Sequence, residues 1–119
     1  LLPRHNESPM HLFMIKNIAE YLEKNGIEVE LYITKKPEIV FQIDGKRYAI
    51  EIETGSAFTK IKNFNEKIKL LNQNYDKWFF VVTKRHLVRK YKRFGDSVDK
   101  RYIIPRLNKL IKIAKKHQR

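Results

Sequence analysis

The sequence predicts a single α/β domain with a mixed central sheet, and three observations carry that prediction. Two segments, around residues 10–22 and 61–71, repeat apolar residues at helical spacing. Between them, β-branched and aromatic runs flank Asp44-Gly45, a strong short-range hairpin signal. After the second helical pattern comes Trp78-Phe79-Phe80-Val81-Val82, a continuous apolar run of the kind that marks a strand buried on both sides.

Each element has its own reason. Ser8-Pro9 is a helix start, a capping residue followed by proline at the first helical position. Met10, Phe13, Met14, Ile18, Tyr21 and Leu22 then give the apolar stripe, and Asn25-Gly26 closes the helix. Val29, Leu31 and Ile33 alternate with Glu28, Glu30 and Tyr32, which reads as a strand with one more polar face. The hairpin runs from Ile39 to Glu53, and Gly55-Ser56 breaks it. From about Thr59 to Asn74 a helix presents Ile61, Phe64, Ile68 and Leu71 on one face. Beyond the apolar strand, His86 to Phe94 is expected to be a short basic helix ended by Gly95. Gly95 to Asp99 is expected as a flexible loop and Tyr102-Ile103-Ile104 as a further strand. Pro105 is expected to open a last helix with Leu107, Leu110, Ile111 and Ala114 inward.

Composition narrows the function classes. At 119 residues the chain supports one modest hydrophobic core. With no cysteine it forms neither disulfides nor thiolate metal sites. No apolar run reaches the ~18 residues of a membrane span and no secretory signal is visible, so an intracellular, cytoplasmic location is expected. A start at Leu1 rather than methionine is expected of a processed or trimmed piece of something longer.

Three carboxylates are the most telling chemical feature. Glu38 follows Pro37 at the head of the hairpin, and Glu51-Ile52-Glu53 ends its return strand. Strand alternation puts Glu51 and Glu53 on one face and Ile50 and Ile52 on the other. The hairpin returns Glu51 and Glu53 to the end where Glu38 begins. Acidic groups converging at a strand end suit a hard, oxygen-preferring cation, and an unpartnered charge within an apolar strand is costly. The alternatives are a polar strand start at Glu38 and a solvent-facing edge at Glu51 and Glu53 paired with Lys46 or Arg47. The four histidines, His5, His11, His86 and His117, show no metal-ligand spacing, and His11 reads as helix packing.

The order αβββαβ with this acidic hairpin at its centre resembles the PD-(D/E)xK nuclease superfamily. That superfamily has the restriction-endonuclease-like fold, and archaeal Holliday junction resolvases and many restriction enzymes belong to it. The resemblance covers about residues 8–82, with 83–119 as a basic C-terminal helical extension of the same single domain. Pro37-Glu38 stands where the family has an acid after proline, and Glu51-Ile52-Glu53 stands at its (D/E)xK, an ExE variant lacking the lysine. The resemblance implies a magnesium- or manganese-dependent DNA endonuclease. Glu38, Glu51 and the Ile52 carbonyl would then hold metal, with Glu53 in the lysine's place. Glu20 on the first helix matches a position where many members carry another metal-approaching acid, and its alternative is pairing with Lys16 or Lys24. Some relatives supply the lysine from the following helix, where Lys60 and Lys62 are the candidates. A non-catalytic nucleic-acid-binding module on the same fold is the alternative, and RNA is the alternative substrate.

The charge distribution points the same way. Residues 1–82 hold 12 Lys and Arg against 11 Asp and Glu, whereas residues 83–119 hold 14 against 2. Nearly all of the net +13 therefore lies in the last third. Such a field favours a polyanion, usually nucleic acid, over an anionic membrane or a merely solubilising face. Lys84, Arg85, Arg89, Lys90, Lys92, Arg93, Arg106 and Lys109 are the expected DNA contacts, gripping phosphates without reading sequence. Structure-selective or non-specific cutting is expected, and a homodimer suits cleavage of two strands.

Overall fold

The computed structural model describes residues 9–32 and 37–117, with the backbone alone described at His117. The expected Ser8 cap, His5 and Ile33 lie outside the described residues. Among the described residues, four helices, α1 (Pro9–Lys24), α2 (Ile61–Asn74), α3 (Val88–Tyr91) and α4 (Ile103–His117), pack around five strands. The strands are β1 (Val29–Leu31), β2 (Ile39–Ile43), β3 (Lys46–Glu53), β4 (Lys77–Val82) and β5 (Ser97–Asp99). They form one mixed sheet in the order β1-β2-β3-β4-β5. The first three pair antiparallel, and β3, β4 and β5 run parallel.

Local chemistry accounts for the joints that aim the site. Gly26 turns the chain out of α1 at φ 77°, with the Ile27 N–H donating to the Leu22 carbonyl at 3.0 Å. Asp44 and Gly45 both take positive φ, 55° and 79°, the geometry a tight two-residue hairpin turn demands. That turn sets the register: Ile43 faces Lys46 and Ile39 faces Ile50. β3 therefore outruns β2 by Glu51, Ile52 and Glu53, and the carboxylates stand where the β2 ladder has ended.

The sheet is covered on both faces. On one, Met14, Ile15, Ile18 and Leu22 of α1 and Ile103, Leu107 and Ile111 of α4 meet Ile39, Phe41, Ile50, Ile52, Phe79 and Val81. On the other, Phe64 and Leu71 of α2 and Tyr91 of α3 meet Ala49, Phe80 and Val82. The rings of Phe58, Phe64, Phe80 and Tyr91 interlock there at centroid distances of 4.5 to 5.8 Å. Glu51 and Glu53 share a face with Ala49, so α2 roofs them over. Among the described residues, no helix is long and apolar enough to cross a membrane.

Four expectations for the last third are corrected. Gly95 to Asp99 is no flexible loop, because Ser97–Asp99 pairs with Phe80–Val82 as β5. A Cβ built on Gly95 would stand 2.3 Å from the Trp78 ring, so the backbone is pressed onto that indole. Tyr102-Ile103-Ile104 forms no strand: Lys100–Tyr102 is a 3-10 turn and α4 begins at Ile103. Pro105 thus sits in the first turn, where its missing N–H has no intrahelical partner to lose. The basic helix splits into a 3-10 turn, Arg85–Leu87, and the single turn of α3. Residues 83–117 are also built into the fold, supplying β5 to the sheet and Tyr91, Ile103 and Leu107 to the core.

Candidate active site at the end of the sheet

Glu38, Glu51 and Glu53 are only 1%, 4% and 5% exposed, as deeply buried as the aliphatic core. Glu38 immediately precedes β2, and its side chain does what the next residue of that strand would have done. Its Oε1 accepts the Ile52 N–H at 2.9 Å, capping the ladder that β2 leaves open. Its Oε2 meets Nε2 of His11, which reaches in from the first turns of α1. The carboxylate is therefore clamped between the β3 backbone and a ring from the opposite layer.

Lys67 of α2 bridges the other two. Its Nζ donates to Oε2 of Glu51 at 3.0 Å and to Oε2 of Glu53 at 3.4 Å. Phe64 and Leu71 fix the phase of α2, and Lys67, three residues after one and four before the other, falls on the same inward stripe. The Tyr91 hydroxyl accepts the Gly55 N–H at 2.9 Å and lies close enough to Glu53 to lower that carboxyl's affinity for protons.

Burial pushes the Glu51 carboxyl up to about 7; Lys67 opposes the rise, and the charges of Glu38 and Glu53 add to it. Burial likewise raises Glu53, against Lys67 and the Tyr91 hydroxyl. Burial works to lower Lys67, but the charges of Glu51 and Glu53 hold it above its ordinary value, so it stays an ammonium. Burial, then the Glu53 charge, raises the Tyr91 phenol and keeps it a donor. Among the described residues, three buried carboxylates face the Lys67 ammonium and the His11 imidazole, and buried negative charge in excess of its partners is met by protons or by a cation.

Every donor among the carboxylates and the Ile52 carbonyl is oxygen, which suits a hard divalent cation. Among the described residues, however, no three Asp, Glu or His side chains converge closely enough to hold a metal ion as they stand. Both oxygens of Glu38 already have protein partners.

The remaining expected residues divide. Glu20 is exposed on α1, and Lys60 and Lys62 are exposed at the start of α2; the lysine that touches the carboxylates comes from that helix but lies further along. Lys84 and Arg85 are exposed just past Val82, which lies level with Glu53, so they share its end of the sheet. Arg89, Lys90, Lys92 and Arg93 are exposed around α3, with the Lys90 ammonium 4.2 Å from the Phe58 ring centroid. Arg106 is engaged within the fold, paired with Asp96 through both guanidinium ends and stacked 4.5 Å from the Phe79 centroid. Lys109 is exposed on α4, across the sheet from the Glu51 and Glu53 side chains. Sequence reasoning missed His11, Lys67 and Tyr91 as members of the site.

Compared with protein-family models, with curated proteins and with solved structures, the chain gives no match in any of the three.

Proposed function

We propose that this chain is a metal-dependent DNA endonuclease on the restriction-endonuclease-like fold, structure-selective or non-specific in its cutting. One observation carries the reading. Glu51 and Glu53 are buried side by side at the end of β3, bridged by Lys67 of the following helix, with Glu38 at the adjoining strand start. Lys67 would in this reading take the part of the lysine that the ExE hairpin lacks.

In this reading Glu38, Glu51 and the Ile52 carbonyl would hold magnesium or manganese. The bound ion would supply Lewis-acid polarisation of the phosphate and a more acidic water. The protein groups divide the remaining work. Lys67 stays charged beside Glu51, where its ammonium faces charge building on a phosphate oxygen. Glu53, with its raised affinity for protons, takes one from the attacking water. Tyr91 tempers the proton affinity of Glu53, and Lys84, Arg85 and the α3 cations grip the flanking phosphates. DNA is the proposed partner, a homodimer the assembly that cuts both strands, and the cytoplasm the location.

A second reading, a non-catalytic nucleic-acid-binding module on the same fold, draws on Glu38, whose two oxygens are both held by protein groups. Cleavage of supercoiled, linear and four-way-junction DNA with magnesium, manganese or chelator separates the two. Metal-dependent cutting that Glu38→Ala and Glu51→Ala abolish while binding persists supports the enzyme. Tight binding without cutting in any metal supports the module.

A further inference from the structure

Beside the carboxylates a cleft of about 360 Å³ opens between α2, β3 and the approach to β2. Glu51 and Lys67 stand at its site end, Arg47 and Tyr75 at the other, and Leu70 and Leu71 form its apolar wall. Arg47 and Glu51 lie on one face of β3, four residues apart, so the cleft runs roughly 13 Å along the strand. The Arg47 guanidinium is 4.9 Å from the Tyr75 ring centroid, two flat groups already in stacking range.

We propose that this cleft receives one unpaired nucleobase, next to the phosphate handled at Glu51 and Lys67. The inference rests on the nucleic-acid reading above and narrows it to substrates with a single-stranded or extrahelical base. Volume excludes a duplex: the cleft is at the small end of ligand pockets, and a base within a duplex cannot enter it. Chemistry selects a base over other flat rings. The cleft offers a stacking ring and an apolar wall, and among the described residues Arg47 and Lys67 supply cations suited to the phosphates on either side of a base. Glu51 and Lys67 themselves line the cleft, so a base seated there brings its own phosphate to Lys67.

Affinity measured in chelator, where nothing is cut, tests this with three DNAs of one sequence: single strand, blunt duplex, and duplex with one extrahelical base. Wild type binds the first and third more tightly than the second. Tyr75→Ala weakens unpaired-base binding roughly tenfold or more and leaves duplex binding within about twofold, while Tyr75→Phe keeps the wild-type preference. Arg47→Lys, which keeps the charge and removes the flat fork, loses several-fold on the same substrates and decides the matter should Tyr75→Ala fail to fold. Equal losses on all three DNAs, or DNA binding with no preference for the unpaired base, overturn the pocket alone. No binding to any of them overturns the nucleic-acid reading with it.

Discussion

Replacing Lys67 with methionine keeps the stem and deletes the charge that balances Glu51 and Glu53. The two ion pairs, at 3.0 and 3.4 Å, would each be worth about 5 kcal/mol at an effective dielectric constant near 20, before desolvation is counted. Breaking a buried pair costs about 3–5 kcal/mol. Lys67 has a 38% exposed side chain, and the carboxylates can take up protons instead, so about 2 kcal/mol is expected near neutrality. The pH dependence is the sharper signature. The stability associated with Glu51's raised pKa is complete below 4.5 and lost as pH rises through about 7. In Lys67→Met the folded pKa climbs further, so between pH 5 and 7 both proteins lose stability in parallel. Above pH 7 only the variant keeps losing it, by about 1.4 kcal/mol per pH unit. Urea unfolding in chelator at pH 6, 7 and 8.5 reads this directly. A difference that is the same at pH 6 and 8.5, or absent at 8.5, refutes the assignment of Lys67 as counter-ion to the buried pair.

Further expectations concern single contacts. Tyr91→Phe removes the hydroxyl that accepts the Gly55 N–H and should cost about 1–2 kcal/mol in thermal or urea unfolding; no loss means that the bond is replaced by water. Gly55→Ala combines a φ of 107° with a Cβ 2.7 Å from Leu87 Cδ1, so it should destabilise by about 1–3 kcal/mol, more than Gly26→Ala, where the space is open. Arg106→Ala should lower the melting temperature while barely changing the salt dependence of DNA binding, because its guanidinium is held by Asp96 and Phe79. Neutralising Lys84 and Arg85 should do the reverse, lowering the salt slope by about one for each phosphate contact removed.

Much of this fold is legible from periodicity alone. The stripe of α1, the Asp44-Gly45 hairpin, α2 and the apolar β4 each carry a pattern long enough to be read. That Glu51 and Glu53 return to the end of the hairpin where Glu38 begins follows from its register. β5 has three residues, too few for any period, and its Asp99, like Gly95 just before the strand, resembles a turn residue until the β4 ladder pairs it. Tyr102-Ile103-Ile104 is a short apolar run, which periodicity cannot assign to strand or helix. Lys67 was hidden among Lys60, Lys62 and Lys69; its spacing from Phe64 and Leu71 is the signal that singles it out. His11 had no such signal, since its partner is 27 residues away and only the packing of α1 brings the two together.

The most direct test of the central claim is DNA cleavage by wild type and Glu51→Ala in magnesium, manganese and chelator. The account predicts metal-dependent cutting by wild type that Glu51→Ala abolishes without loss of DNA binding. Cutting that survives the substitution, or binding with no cutting in either protein, contradicts it.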